Sequence, residues 1–317
     1  MTLAAIPFIN EGFFNWTLIG VRLVNGLKNG SFYALMALTV VIIYKTTGHL
    51  NFAQGEMGTL GAFIVFVLAI EHGWSYWLAI PVALVFSFLL GASLERTLVR
   101  PIERRSALGV VIVTLGIFLV INALVAAIWG TTSVTPLAPV PNAPDDQWVL
   151  ADGPPRLAIR YSTLAIWVTL AVVVAVLLFF FQKTKLGLGY RAVAANRESS
   201  QLVGVPVGRM LMLGWAISAV LGTIAAIMVS QSTNTLDFNL MSVVLLYGFA
   251  AAALGGFDSI PGAVVGGLIV GMAEAFVPSF FSFVGSELSL AVALGVIVAV
   301  LLVRPEGLFG SKRVERV

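Results

Sequence analysis

Residues 161–230 read YSTLAIWVTLAVVVAVLLFFFQ, then KTKLGLGYRAVAANRESSQLVGVPVGR (Lys183 to Arg209), then MLMLGWAISAVLGTIAAIMVS. Two apolar runs, each of the roughly 20 residues that carry an α-helix across a bilayer core of about 30 Å, enclose a polar, glycine-containing loop. That order decides the fold class: an all-α, polytopic integral membrane protein. Five of the chain's 18 Lys and Arg residues lie in the loop. Its middle, Arg191 to Val203, reads as one short helix ended by Gly204 and Pro206. Such a helix in a basic loop offers a surface for docking; alternatively, its charge serves only to orient the chain in the membrane. For docking, the small residues Ala194 and Ala195 admit close approach, and charges at Arg191, Arg197 and Glu198 set register.

Outward from this loop the same pattern repeats. The 317 residues are 59% hydrophobic and 10% charged, with mean hydropathy +1.00, whereas soluble domains carry about 25% charged residues. Apolar runs at 16–44, 52–70, 76–94, 108–130, 161–182, 210–230, 241–256, 261–283 and 286–303 fill the chain. They make a single transmembrane domain over 1–317 with roughly eight to ten helices. Run 16–44 would extend about 43 Å, too long for one upright crossing, so Gly26 and Gly30 are expected to break it. Runs 241–256 and 261–283 are two full crossings or a re-entrant pair. Segment 131–160, rich in proline and acids, reads as an external loop with room for a small hairpin.

Fourteen of the 18 basic residues fall on one side if the runs alternate: Lys45, Arg96 to Arg105, the 183–209 loop, and the tail from Arg304. Basic loops stay cytoplasmic, so the N-terminus is expected outside and the C-terminus in the cytoplasm. The N-terminal MTLAAIPFINEGFF lacks the basic start of a cleavable signal. The net charge of +3 comes from membrane-flanking loops and is no nucleic-acid signal. There is no Cys, and His49 and His72 have no second ligand at metal spacing, so no metal site and no cofactor are expected. A G-x-x-x-x-G-K-[ST] loop is absent, so the chain holds no ATP in a P-loop of its own. No paired nucleophile and base suggests an enzyme.

Polar residues inside apolar runs are the remaining candidates. Asn51-Phe52-Ala53-Gln54-Gly55-Glu56 brings an amide pair and a carboxylate into a span. An ionised group there costs a few kcal/mol (about 3) on insertion scales, so Glu56 must face protein or water. It either lines or hinges a translocation path, or belongs to a polar helix cap started by Asn51. Arg22, Asn25, Asn29 and Tyr33 share one helix face, pointing to a partner helix, an aqueous path or the lipid interface. At residues 255–263 one helix ends and another starts, capped by Asp258 or Ser259 with Pro261 in its first turn. Glu274, in GMAEAF, is intramembrane and needs a partner that the sequence does not name.

The block NGLKNGSFYALMALTVVIIYKTTGHLNFAQGEMGTLGAF resembles the N-terminal signature of the branched-chain amino-acid ABC importer permeases. RAVAANRESSQLVGVPVGRMLMLGWAISAVLGTIAA resembles their coupling loop, and LGGFDSIPGAVVGGLIVGMAEA and LLVRPEGLFG resemble their C-terminal signatures. The four blocks occur in family order over about residues 20–310, closest to the smaller permease of the usual pair. The resemblance implies a second homologous permease subunit, two cytoplasmic ATP-binding subunits, an extracytoplasmic solute-binding protein, and a place in the bacterial inner membrane. It implies that Arg191, Ala194, Ala195, Arg197, Glu198 and Gly204 take part in ATPase coupling, and that Tyr33, Asn51, Gln54, Glu56 and Glu274 belong to the path or its hinge. Gln54 stands where the family commonly has His, which removes a titratable group and keeps hydrogen bonding. The implied cargo is a branched-chain amino acid; urea, amides or aromatic acids are alternatives within the same machinery. A stand-alone channel or ion-coupled carrier is the rival class, and it is expected to need intramembrane ionisable pairs.

Overall fold

The computed structural model describes residues 15–103, 106–135, 140–143, 145–280 and 288–310. The N-terminal segment, Arg104, Arg105 and the tail residues Lys312, Arg313 and Arg316 lie outside the described residues. Among those described, seven helices are long and apolar enough to cross a membrane, and Ser242–Gly255 is a shorter apolar helix. The chain divides into two compact units: residues 1–37, 140–168 and 247–317, and residues 38–139 and 169–246.

α1 (Trp16–Thr47) starts in the first unit and ends in the second, and it begins where the Asn15 side chain accepts from the Thr17 and Leu18 amides. The expected break at Gly26 and Gly30 does not occur: α1 is a continuous helix of 32 residues. The glycines serve packing instead. A Cβ on Gly30 would lie 2.9 Å from Leu268 Cα, and one on Gly26 2.6 Å from Met272 Sδ. Residues 268 and 272 belong to α11 (Ile260–Phe280), so the missing side chains let two backbones approach closely. Ser259 Oγ accepts from Gly262 N at 3.0 Å, with Pro261 in the first turn of α11, as its sequence suggests. α12 (Ser289–Val303) follows, and the chain then returns so that Leu308 N donates to Leu254 O at 2.8 Å. The 131–160 segment contains a hairpin, β1 (Gln147–Ala151) and β2 (Leu157–Arg160), antiparallel with Trp148 opposite Ile159.

In the second unit, α2 (Gln54–Phe66, continued by a π-turn Val67–Glu71), α3 (Tyr76–Leu94) and α9 (Val207–Thr233) pack on one another. Gly58 permits this: a Cβ there would fall 2.5 Å from Gly222 O. Ser87 and Thr223 hydroxyls join α3 to α9 at 2.7 Å. After α3 come a π-turn (Glu95–Val99), the single turn α4 (Arg100–Glu103) and α5 (Ala107–Trp129). α6 (Tyr161–Lys183), which starts in the first unit, leads to α7 (Lys185–Ala195) and α8 (Arg197–Leu202). α10 (Ser242–Gly255) starts in this unit and ends in the first.

Candidate functional site

The 183–209 loop departs from the single helix expected over 191–203. Asn196 adopts an extended backbone, which ends α7, and its Oδ1 accepts from Ser199 N at 2.9 Å, which starts α8. Asparagine competes for its own local backbone donors, so it favours a cap over a helix interior. Thr184 caps α7 in the same way, accepting from Gly187 N at 3.0 Å.

Contacts at Tyr190, Arg197 and Gly208 fasten this loop to helices of its unit. Tyr190 is fully buried and its hydroxyl donates to Ile42 O, in the last turns of α1. Burial raises the phenol above its ordinary pKa, so the hydroxyl stays a donor at any physiological pH. Arg197 Nη2 donates to Glu103 Oε1 at 3.0 Å. Beside it, Arg100 grips Glu95 with two bonds (2.9 and 2.6 Å) and also donates to Gly208 O at 2.6 Å. A cleft of about 240 Å³ opens between these groups, lined by Arg100, Glu103, Arg197, Glu198 and Gln201. Arg191, Ala195, Glu198 and Gly204 are exposed, Ala194 and Arg197 half-buried. The most exposed apolar residues of the loop are Leu202 (88%) and Val203 (77%), at its tip.

The second cluster lies where α2 begins. Asn51 does not cap α2: the N-cap is Ala53, with no side-chain cap bond. Instead Asn51 Oδ1 accepts from Ala53 N at 3.0 Å, and its Nδ2 donates to Gln54 Oε1 at 3.1 Å. Gln54 Nε2 in turn donates to Ser218 O at 2.8 Å, and Ser218 Oγ donates to Thr39 O at 2.6 Å. This buried relay ties the start of α2 to α9 and α1. It uses an acceptor and a donor on one side chain, which a glutamine supplies without titrating.

One turn on, Glu56 is wholly buried. Its Oε2 receives Asn122 Nδ2 at 3.3 Å and its Oε1 receives Ser242 Oγ at 3.4 Å. Asn122 Nδ2 also donates to Phe238 O at 3.0 Å and Asn239 Oδ1 at 3.1 Å. Asn122 lies seven residues before Trp129, and Glu56 seven before Phe63; those two rings stack at 4.8 Å. The cluster is therefore about 10 Å along the helices from the ring pair at the α5 end.

A third cluster lies in the first unit. Glu274 Oε2 accepts from Tyr33 Oη at 2.7 Å and from Asn29 Nδ2 at 3.2 Å, and Tyr33 stacks on Tyr247 at 4.4 Å. Two residues of the helix-face stripe, Asn29 and Tyr33, thus supply partners of Glu274. Arg160 and Glu274 are the charged neighbours of Lys28. Arg22, on the same stripe, keeps its Nε buried without a hydrogen bond among the described residues.

The model of the family described as branched-chain amino acid transport system, permease component, matches residues 22–301. The chain belongs to this family. Relatives include the high-affinity branched-chain amino acid permease protein LivH of Escherichia coli K12, 30% identical over 93% of this chain and 97% of that protein. BraD of Pseudomonas aeruginosa is 29% identical over the same shares. A probable LivH of Methanocaldococcus jannaschii is 26% identical over 87% of this chain and 88% of its own length. As a family member the chain is a multi-pass transport protein of the inner membrane. Tyr190, Glu103 and Asn122 escaped the sequence reading. Each lies more than 60 residues from its partner, and only an unusual asparagine in the apolar run 108–130 could have signalled one of them.

Proposed function

We propose that this chain is the membrane-spanning subunit of an ATP-driven importer of branched-chain amino acids. Separate ATP-binding subunits drive it, a second permease completes the path, and an extracytoplasmic binding protein delivers the solute. The N-terminus is outside and the C-terminus cytoplasmic. The observation that carries the reading is the form of the 183–209 loop. A short double helix, clamped at Tyr190 and Arg197 to helices of its own unit, ends in an exposed apolar tip, Leu202 and Val203. A displacement of that tip by an ATPase reaches α1 through the Tyr190 bond, and α9 directly along the chain. Such a lever gives ATP binding a means of favouring one conformation over another.

The test replaces Leu202 with Asp and, separately, Tyr190 with Phe. Leu202→Asp abolishes co-purification of the ATPases and uptake. Tyr190→Phe keeps the ATPases bound while uptake falls. Unchanged uptake in both refutes the lever. Cysteines placed at Ser199 and Ser232 label from the cytoplasm and the outside respectively; the reverse pattern refutes the orientation.

A further inference from the structure

We infer that the cluster around Glu56 is a subsite for the ammonium group of the transported solute, an inference that rests on the amino-acid reading above. Three oxygens converge on Asn122 Nδ2: Phe238 O at 3.0 Å, Asn239 Oδ1 at 3.1 Å and Glu56 Oε2 at 3.3 Å. A primary amide nitrogen has two hydrogens, so one of the three acceptors goes short. Turning the amide over would set its oxygen against all three, which fixes the orientation. Ser242 Oγ reaches Glu56 only at 3.4 Å, and no Lys or Arg among the described residues pairs with this carboxylate. The cluster is rich in acceptors and poor in donors, within an apolar surround where an unpaired carboxylate is costly.

An alkylammonium supplies what is missing: one positive charge and three tetrahedral N–H donors. The 3.0–3.3 Å spacing about a single point suits N–H···O bonds, whose length is about 2.9–3.0 Å. A hard cation such as calcium takes oxygens at about 2.3–2.6 Å and wants at least six of them. The cluster is also reachable. Asn239 is exposed, Asn122 and Ser242 are half-buried, and Glu56 is buried. The turn holding Phe238 and Asn239 is shaped by Asn239 N donating to Asp237 Oδ1 at 2.9 Å, which sets a second carboxylate beside Asn239. In the state described, the Asn122 amide stands in for the ammonium. A solute displaces it and takes its acceptors.

The experiment uses the assembled complex in nanodiscs without the binding protein, read by saturation-transfer NMR. The probes are L-leucine, 3-methylbutylamine (leucine without its carboxylate) and 4-methylpentanoate (leucine without its ammonium). The expected result is binding of leucine and the amine within a few-fold of each other, with 4-methylpentanoate at least ten-fold weaker. Glu56→Gln reduces binding of leucine and the amine at least ten-fold. Asn122→Ala, which frees the acceptors, holds the amine at least as tightly as the wild type. Equal binding of the amine and 4-methylpentanoate, or amine binding unchanged in Glu56→Gln, overturns the subsite. Leucine uptake by the full importer is measured in parallel. If uptake is intact and the amine is not favoured, the subsite fails and the function stands. If the complex binds the amine through Glu56 yet imports no amino acid, the function fails and the subsite stands.

Discussion

Two buried or half-buried carboxylates sit in apolar surroundings in the two units, and their neighbours treat them differently. Glu274 receives a short bond of 2.7 Å from Tyr33 and one of 3.2 Å from Asn29, and Tyr33 is itself braced by stacking on Tyr247. Among the described residues, Glu56 receives only 3.3 and 3.4 Å contacts, and the nearer donor is shared with two other oxygens. The first carboxylate is satisfied by donors that serve it. The second is held by groups that are in deficit. A satisfied buried polar group stabilises one arrangement, whereas an undersupplied one favours whatever brings the missing donors. Glu274 therefore reads as a fastening between α1 and α11, and Glu56 as a receiving group.

The sharpest way to break this contrast is to neutralise each acid in turn. Glu56→Gln should lower leucine uptake by the full importer at least ten-fold while the subunits still co-purify. Glu274→Gln should leave uptake at a permissive temperature within about two-fold. Equal losses would erase the distinction. Next in size is Gly58→Val, which places a branched side chain against the Gly222 backbone and should cost at least the 1–3 kcal/mol, roughly, of an overpacked core. It would show as a lower melting temperature of the purified complex. Tyr33→Phe removes the short bond to a carboxylate, a loss of about 1.5–3 kcal/mol, again seen in melting and not in uptake. The smallest effect belongs to Ser242→Ala, whose 3.4 Å contact is at the limit of a hydrogen bond. Stability should change by less than about 0.5 kcal/mol. A larger loss would mean that Ser242 is a principal donor to Glu56, against the deficit described.

Much of the fold was legible because hydrocarbon imposes a strict length and composition on each crossing. The runs 76–94, 108–130 and 161–182 agree with α3, α5 and α6 to within a residue or two. The cap at Ser259 and the hairpin in 131–160 were legible too, since both rest on short-range chemistry. Errors came where glycine or asparagine carried two meanings. Gly26 and Gly30 can break a helix or admit a neighbour, and α11 decided for the neighbour. Asn196 can sit within a helix or cap the next one, and the cap prevailed.

What the sequence determined by itself was the all-α membrane class, the order of the spans, and the family to which its four signature blocks belong. These follow from local periodicity, charge placement and motif, which need no knowledge of neighbours. Tertiary structure alone decided the pairing of Glu274 with Tyr33 and Asn29, the clamp from Tyr190 to Ile42, and the convergence of three acceptors on Asn122. Residues 56, 122 and 239 are brought together by the packing of α2 against α5 and by the return of the 237–239 turn. Hydrogen-bond supply at a point depends on every element that reaches it, and no single stretch of sequence carries that count.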